Sequence, residues 1–205
     1  MVSSGRGPFI VLEGADGCGK STQAARLALR LGSTGREVLH LRDPGSTPLA
    51  EGVRGLLLDA ATGQVGVRAE TFLYMAARAQ LAEEIVIPAL ARGACVVCER
   101  WTLSTEVYQG LAGGLGVAAV RELAGLAEAG AAPDLTLVLD VAGAGALDRL
   151  VGAPDRMESK GAAFHARVAT GYRELAAGRP GCVVLPPGDV ESVAAAVWEA
   201  VRALV

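Results

Sequence analysis

The chain has 205 residues, half of them hydrophobic and only 4% aromatic. That length bounds it to a single domain, 1–205, with room at most for a small lid. Nineteen Lys and Arg against 22 Asp and Glu give a net charge of −3. This argues against nucleic acid as a partner but leaves a nucleotide site open, since such a site needs only a few local cations. No run of about 18 uncharged apolar residues occurs, so no membrane span is expected.

Residues 1–7 are small and polar and read as a flexible tail. The apolar run after them is too short for a signal-peptide core and ends in Glu13, so a cytoplasmic protein is expected. Short apolar runs rich in Val, Ile and Leu then predict strands at Phe9–Glu13, Glu37–Arg42, Ala94–Glu99, Leu135–Asp140 and Cys182–Leu185. Helical patterns fall between them at Lys20–Leu31, Leu49–Leu58, Glu70–Ala91, Val117–Glu128, Ser159–Ala176 and Val190–Leu204. Pro88 should kink or end the third helix early. Gly110–Gly116 reads as a flexible loop. Strands alternating with helices imply βαβ units and a parallel sheet, an α/β fold.

Between the first strand and the first helix stands Gly14-Ala15-Asp16-Gly17-Cys18-Gly19-Lys20-Ser21, followed by Thr22. It fits G-x-x-x-x-G-K-[ST] in the strand-loop-helix context that makes the motif credible. Glycines let the backbone wrap so that its N–H groups form an anion nest, and the helix N-terminus adds positive partial charge. Lys20 is placed to reach the β- and γ-phosphates of ATP, and the Ser21 hydroxyl to ligate Mg²⁺. Cys95 and Cys98 form a C-x-x-C inside a predicted strand. There i and i+3 point to opposite faces, so both are read as core residues and not as a zinc or redox pair.

A wider pattern surrounds the loop. Phe9 to Gln23, Arg42 to Pro48, Glu70 to Gln80, Glu99-Arg100-Trp101, Ser104-Thr105 with Tyr108-Gln109-Gly110, Pro133 to Asp140 and Asp155 to Glu158 are collinear segments. Together they resemble the thymidylate kinase family. The resemblance implies a P-loop kinase fold, a three-layer sandwich around a five-stranded parallel sheet, with a short lid over about 147–157. It implies transfer of the ATP γ-phosphoryl group to dTMP with Mg²⁺, and a homodimer formed through helices on one flank. By resemblance, Arg100 serves the acceptor phosphate and the transferring group, and Arg42 adds to the acceptor-phosphate site. Tyr74 and Arg78, at i and i+4 on one helix face, stack on and bond the thymine. Thr105 bonds the pyrimidine edge, Tyr108 occupies the place of a ribose 2′-OH, and Asp16 lies near the sugar. Pro44, Ser104 and Gln109 fall in the matching dTMP segments. Trp101 is expected to pack in the core.

Two departures stand out. Glu99 replaces the family's Asp at a position where a carboxylate holds a Mg²⁺-bound water. The lid offers only Arg149, assigned to the ATP side, and Arg156, assigned to the phosphates. A Glu-Arg pair at this place also resembles deoxynucleoside kinases, which need a carboxylate base for a 5′-hydroxyl; Asp43 is the candidate. A nucleotide-binding paralogue with impaired catalysis is the other alternative.

Overall fold

In a computed structural model, which describes residues 5–140 and 154–205, five strands form a single sheet. They are β1 (Phe9–Glu13), β2 (Val38–Arg42), β3 (Cys95–Glu99), β4 (Leu135–Leu139) and β5 (Cys182–Leu185). All neighbours are parallel, in the order β2-β3-β1-β4-β5. The helices are α1 (Lys20–Gly32), α2 (Pro48–Leu58), α3 (Val67–Leu81), α4 (Ile87–Ala91), α5 (Thr102–Thr105), α6 (Val117–Glu128), α7 (Ala162–Ala176) and α8 (Val190–Val201).

Strand alternation builds the three layers. Phe9 and Val11 of β1 face one side, with Val96, Cys98, Leu81, Val86, Leu90 and Trp101. Ile10 and Leu12 face the other, with Cys95, Val97, Leu27 and Leu31 of α1, and Val197 and Val201 of α8. Cys95 and Cys98 therefore enter opposite cores, and all four cysteines are free. Burial pushes the Cys95 thiol up to about 11 and raises Cys98 well above the ordinary thiol value, so both stay protonated and inert. Trp101 is buried, edge-on to Phe9 at 5.2 Å. β2 and β5 are sheet edges. Val183 and Val184 of β5 are each more than a third exposed, against the expectation of strands covered on both faces. Local chemistry sets several boundaries. Thr47 caps α2 by accepting from the Ala50 N–H at 3.1 Å, with Pro48 opening the helix, and Asp189 caps α8 through Ser192.

Two readings of the sequence are corrected and a third is met only in part. Pro88 is expected to kink or end its helix: the regular α-helix does stop at Leu81, in a π turn over Ala82–Val86 just before the proline, but helical backbone runs on through α4 to Ala91. The wider turn accommodates the ring and the missing N–H. Gly110–Gly116 is not simply a loop, because Glu106–Ala112 is a second π turn continuing α5. A Cβ at Gly110 would sit 3.2 Å from the Val117 Cα, so this glycine is a close helix contact. Arg6 and Gly7, assigned to the tail by composition, are packed: Arg6 pairs with Asp134 at 3.1 Å and the Gly7 N–H donates to the Leu90 carbonyl. No helix among the described residues is long and apolar enough to cross a membrane.

Candidate active site

The phosphate loop leaves the C-terminal end of the central strand β1, where ligands bind in open parallel sheets. Gly14 has φ +139°, and a Cβ there would lie 2.6 Å from the Leu139 carbonyl oxygen. The loop thus threads between β4 and its own turn, a path open only to glycine. Gly19 is the N-cap of helix α1 and offers no side-chain cap, and the first turn holds no acid, which leaves the N-terminal N–H groups to an anion. Lys20 is buried and its ammonium donates to the carbonyls of Gly14 (2.9 Å) and Ala15 (2.7 Å). Burial, then the nearby Arg100 charge, lower its pKa from the ordinary lysine value.

Beside the loop, the Ser21 hydroxyl donates to Glu99 Oε2, and His40 Nε2 lies 2.9 Å from Glu99 Oε1. Among the described residues no cluster of three or more His, Cys, Asp or Glu could hold a metal by itself. A phosphate-bound Mg²⁺ needs only one or two protein oxygens.

Arg100 follows β3 with φ +67°, a left-handed conformation that turns its side chain back under the loop. Its Nη1 donates to the Gly14 carbonyl (3.1 Å), Ser104 Oγ (3.1 Å) and Tyr172 Oη (3.0 Å), and its Nη2 pairs with Asp16. Burial works against its charge, but Asp16 and the tyrosine oxygens outweigh that and raise its pKa. Glu13, fully buried below, fixes this turn. It accepts from the Trp101 and Ser104 N–H groups, from Ser104 Oγ (2.5 Å) and from Tyr172 Oη. Burial raises its pKa, partly offset by those bonds and by Arg100.

A cavity of about 140 Å³ opens next to Arg100. Asp16, Pro44, Tyr74, Arg78, Arg100, Ser104, Thr105, Tyr108 and Gln109 line it, joined by Asp43 and Arg54. The Tyr108 hydroxyl donates to Asp16 Oδ2 at 2.7 Å, and burial raises its pKa well above 10, so it remains a donor. Arg78 is 1% exposed. It donates through Nε to Asp43 Oδ2 (2.7 Å), and through Nη2 and Nη1 to Thr105 Oγ1 (2.8 Å) and Thr102 Oγ1 (3.3 Å). Gln109 is held by Glu70.

Two assigned arginines stand elsewhere. Arg42 is half exposed and forms a two-bond pair with Glu51, outside the cavity lining. A strand-edge side chain turns to the nearest solvent-side carboxylate. Arg156 donates to the Leu57 carbonyl (2.7 Å) and pairs with Glu70 (2.7 Å), also outside the lining. Glu70 has no exposed surface and draws Arg156 and Lys160 together. Arg149 and residues 147–153 of the lid lie outside the described residues.

Four contributors escaped the sequence reading: Arg54, Glu13, Tyr172 and His40. Arg54 had a signal. It stands at i+4 from Ala50 and i−3 from Leu57, the two buried residues of α2, so a cation sits on an inward face. Tyr172 likewise follows Val168 by four on the buried face of α7.

A parallel sheet with a phosphate loop, and one arginine joining that loop to a cavity lined by charged, hydroxyl and aromatic side chains, define a nucleotide phosphotransferase. Comparison with known proteins agrees. The family model for Thymidylate kinase matches residues 12–193. Thymidylate kinases of Solidesulfovibrio magneticus and Trichlorobacter lovleyi are 42% and 41% identical, over 96% and 94% of this chain and 99% and 96% of theirs. The crystal structure of thymidylate kinase from Ehrlichia chaffeensis matches with a TM-score of 0.79 at 30% identity, over 96% of this chain and 99% of that one. The chain belongs to the thymidylate kinase family and is an ATP-dependent phosphotransferase that converts dTMP to dTDP. The nucleoside-kinase reading is set aside accordingly.

Proposed function

We propose that the γ-phosphoryl group passes from ATP on Gly14–Thr22 to dTMP in the cavity, with Arg100 as the shared cation. One observation carries this: the Arg100 guanidinium touches the phosphate-loop carbonyl of Gly14 and also lines the acceptor cavity. A phosphomonoester, with a second pKa of about 6, is mostly dianionic at neutral pH and needs no general base. What the site must supply is charge screening between two polyanions and in-line alignment. Asp43 is paired to Arg78 through Oδ2 and leaves its buried Oδ1 without a partner, but a dianionic acceptor asks no base of it.

The Ser21 hydroxyl and Glu99 carboxylate are hard oxygen donors that suit Mg²⁺, which when bound neutralises charge on the phosphates. Asp16 and Tyr108 fix Arg100 and close the floor beneath the sugar. Tyr74, Arg78 and Thr105 meet the base, Arg78 being pre-aimed by Asp43. Pro44, Ser104 and Gln109 complete the wall. Arg54 takes the acceptor-phosphate role that Arg42 does not fill. Arg149, in the lid segment 147–157, serves the ATP side, in a single domain acting in the cytoplasm. Phe72 on α3 and Leu126 on α6 are exposed apolar side chains on elements that touch each other, which supports a homodimer through this flank.

The test is Arg100→Ala in an ADP-release assay dependent on dTMP and ATP. We expect kcat to fall by about 10²-fold or more while ATP-analogue affinity changes little. Equal losses in both would remove Arg100 from the transition state.

A further inference from the structure

Glu99 is held from two sides. Ser21 donates to one carboxylate oxygen, and His40 Nε2 stands 2.9 Å from the other. His40 and Glu99 are diagonal neighbours, since His40 pairs in register with Val97 and Arg42 with Glu99. Side chains two positions off register on neighbouring strands share a sheet face, and here a glutamate and an imidazole meet at 2.9 Å. An aspartate on the same backbone would draw the carboxylate back by one C–C bond of about 1.5 Å, which takes that contact out of hydrogen-bond range. His40 is a third exposed and Glu99 about a sixth, so the contact forms at the rim and not in the core.

We propose that His40 is a positioning residue for the phosphate-bound cation: it anchors Glu99 Oε1 so that Oε2 stays aimed at Ser21. Glu99 and His40 then form a matched pair. The longer carboxylate has one more rotatable bond than aspartate, and the imidazole removes that freedom. The pairing rests on the reading of Ser21 and Glu99 as the cation's protein partners.

The experiment measures Mn²⁺ affinity of the ADP-bound protein, from the spin-resonance signal of free Mn²⁺, together with dTMP affinity by calorimetry. His40→Phe keeps the ring and deletes the hydrogen bond. One hydrogen bond to a charged group, acting only through orientation, corresponds to a three- to tenfold weakening of Mn²⁺ binding, roughly. dTMP affinity should stay within about twofold, and His40→Gln, which restores a donor, should recover most of the loss. In the Glu99→Asp background, His40→Phe should change nothing, because the shorter carboxylate does not reach His40. A general structural role would lower the melting temperature and persist in that background. Unchanged Mn²⁺ affinity in His40→Phe, or equal loss in both backgrounds, overturns the proposal. Ser21→Ala and Glu99→Gln separate the underlying reading. If they leave Mn²⁺ affinity intact, the cation site itself is wrong and the positioning role falls with it. If they weaken it while His40→Phe does not, only the positioning role falls.

Discussion

Replacing Arg54 should damage dTMP binding, and replacing Arg42 should not. Arg54 lines the acceptor cavity from α2, and one of its five N–H donors is engaged by the Pro44 carbonyl at 3.1 Å. Burial, then the nearby Arg42 charge, lower its pKa, so the guanidinium sits where an arriving dianion gains most. A hydrogen bond to a charged group contributes about 1.5–3 kcal/mol, which is about 10- to 150-fold in affinity. Arg42 is 52% exposed and its partner Glu51 42%, and such surface pairs contribute about 0.2–1 kcal/mol to stability and nothing directly to the cavity. Arg54→Ala should therefore raise the dTMP dissociation constant by at least about tenfold, and Arg42→Ala by less than about twofold. Calorimetric titration of dTMP into each variant measures both, with thermal melts confirming folding. A larger loss in Arg42→Ala than in Arg54→Ala would mean that Arg42 leaves Glu51 for the substrate, and the assignment drawn from the cavity lining would be wrong.

Asp43→Asn strips the charge from a buried pair whose members are at most 2% exposed. Breaking such a pair costs about 3–5 kcal/mol, or about 6–20 °C in melting temperature for a chain of this size, and a drop under about 2 °C would sink the reasoning. Asp16 carries the pH signature. Burial pushes its carboxyl up, but Arg100 and Lys20 hold it at about 2, below the ordinary 3.8. The unfolded chain then binds the proton more tightly, so this stabilisation is complete above about pH 4 and is lost as pH falls toward 2. Urea unfolding of wild type against Asp16→Asn should show the gap narrowing by about 1 kcal/mol from pH 6 to pH 3; a constant gap contradicts it. Tyr108→Ala should relax discrimination against UMP, read as the ratio of kcat/KM for dTMP and UMP. Unchanged selectivity would assign the 2′ position to another residue.

The sheet was legible because its signals are local. Phe9–Glu13 and Cys182–Leu185 end where their apolar runs end, and the other strands differ by one residue at one end. The π turns were not legible. A 3.6-residue pattern continues across Ala82–Val86 and Glu106–Ala112, and nothing in periodicity marks the extra residue each turn absorbs. The second of them carries Tyr108 and Gln109, so the geometry of the acceptor wall depends on a feature invisible in the sequence.

The cations divided along a physical line that residue spacing does not contain. Interior carboxylates claim partners first, since an unpaired buried charge costs several kcal/mol. Glu70 takes Arg156 and Lys160, Glu106 takes Arg121 and Arg179, and Asp43 takes Arg78, each acid being at most 2% exposed. Arg156 matched a phosphate-side motif yet is bound to Glu70, because the motif records the arginine and not the acid that needs it. Arg54 and Arg100 are the cavity-lining cations outside these interior pairs. Arg100 does have Asp16, but that carboxylate belongs to the cavity itself, so the pair aims a guanidinium at the substrate without removing it from reach. The residues free to meet phosphate were thus decided by where the fold buries its acids, which is why the loop was readable from the sequence and the arginines around it were only partly so.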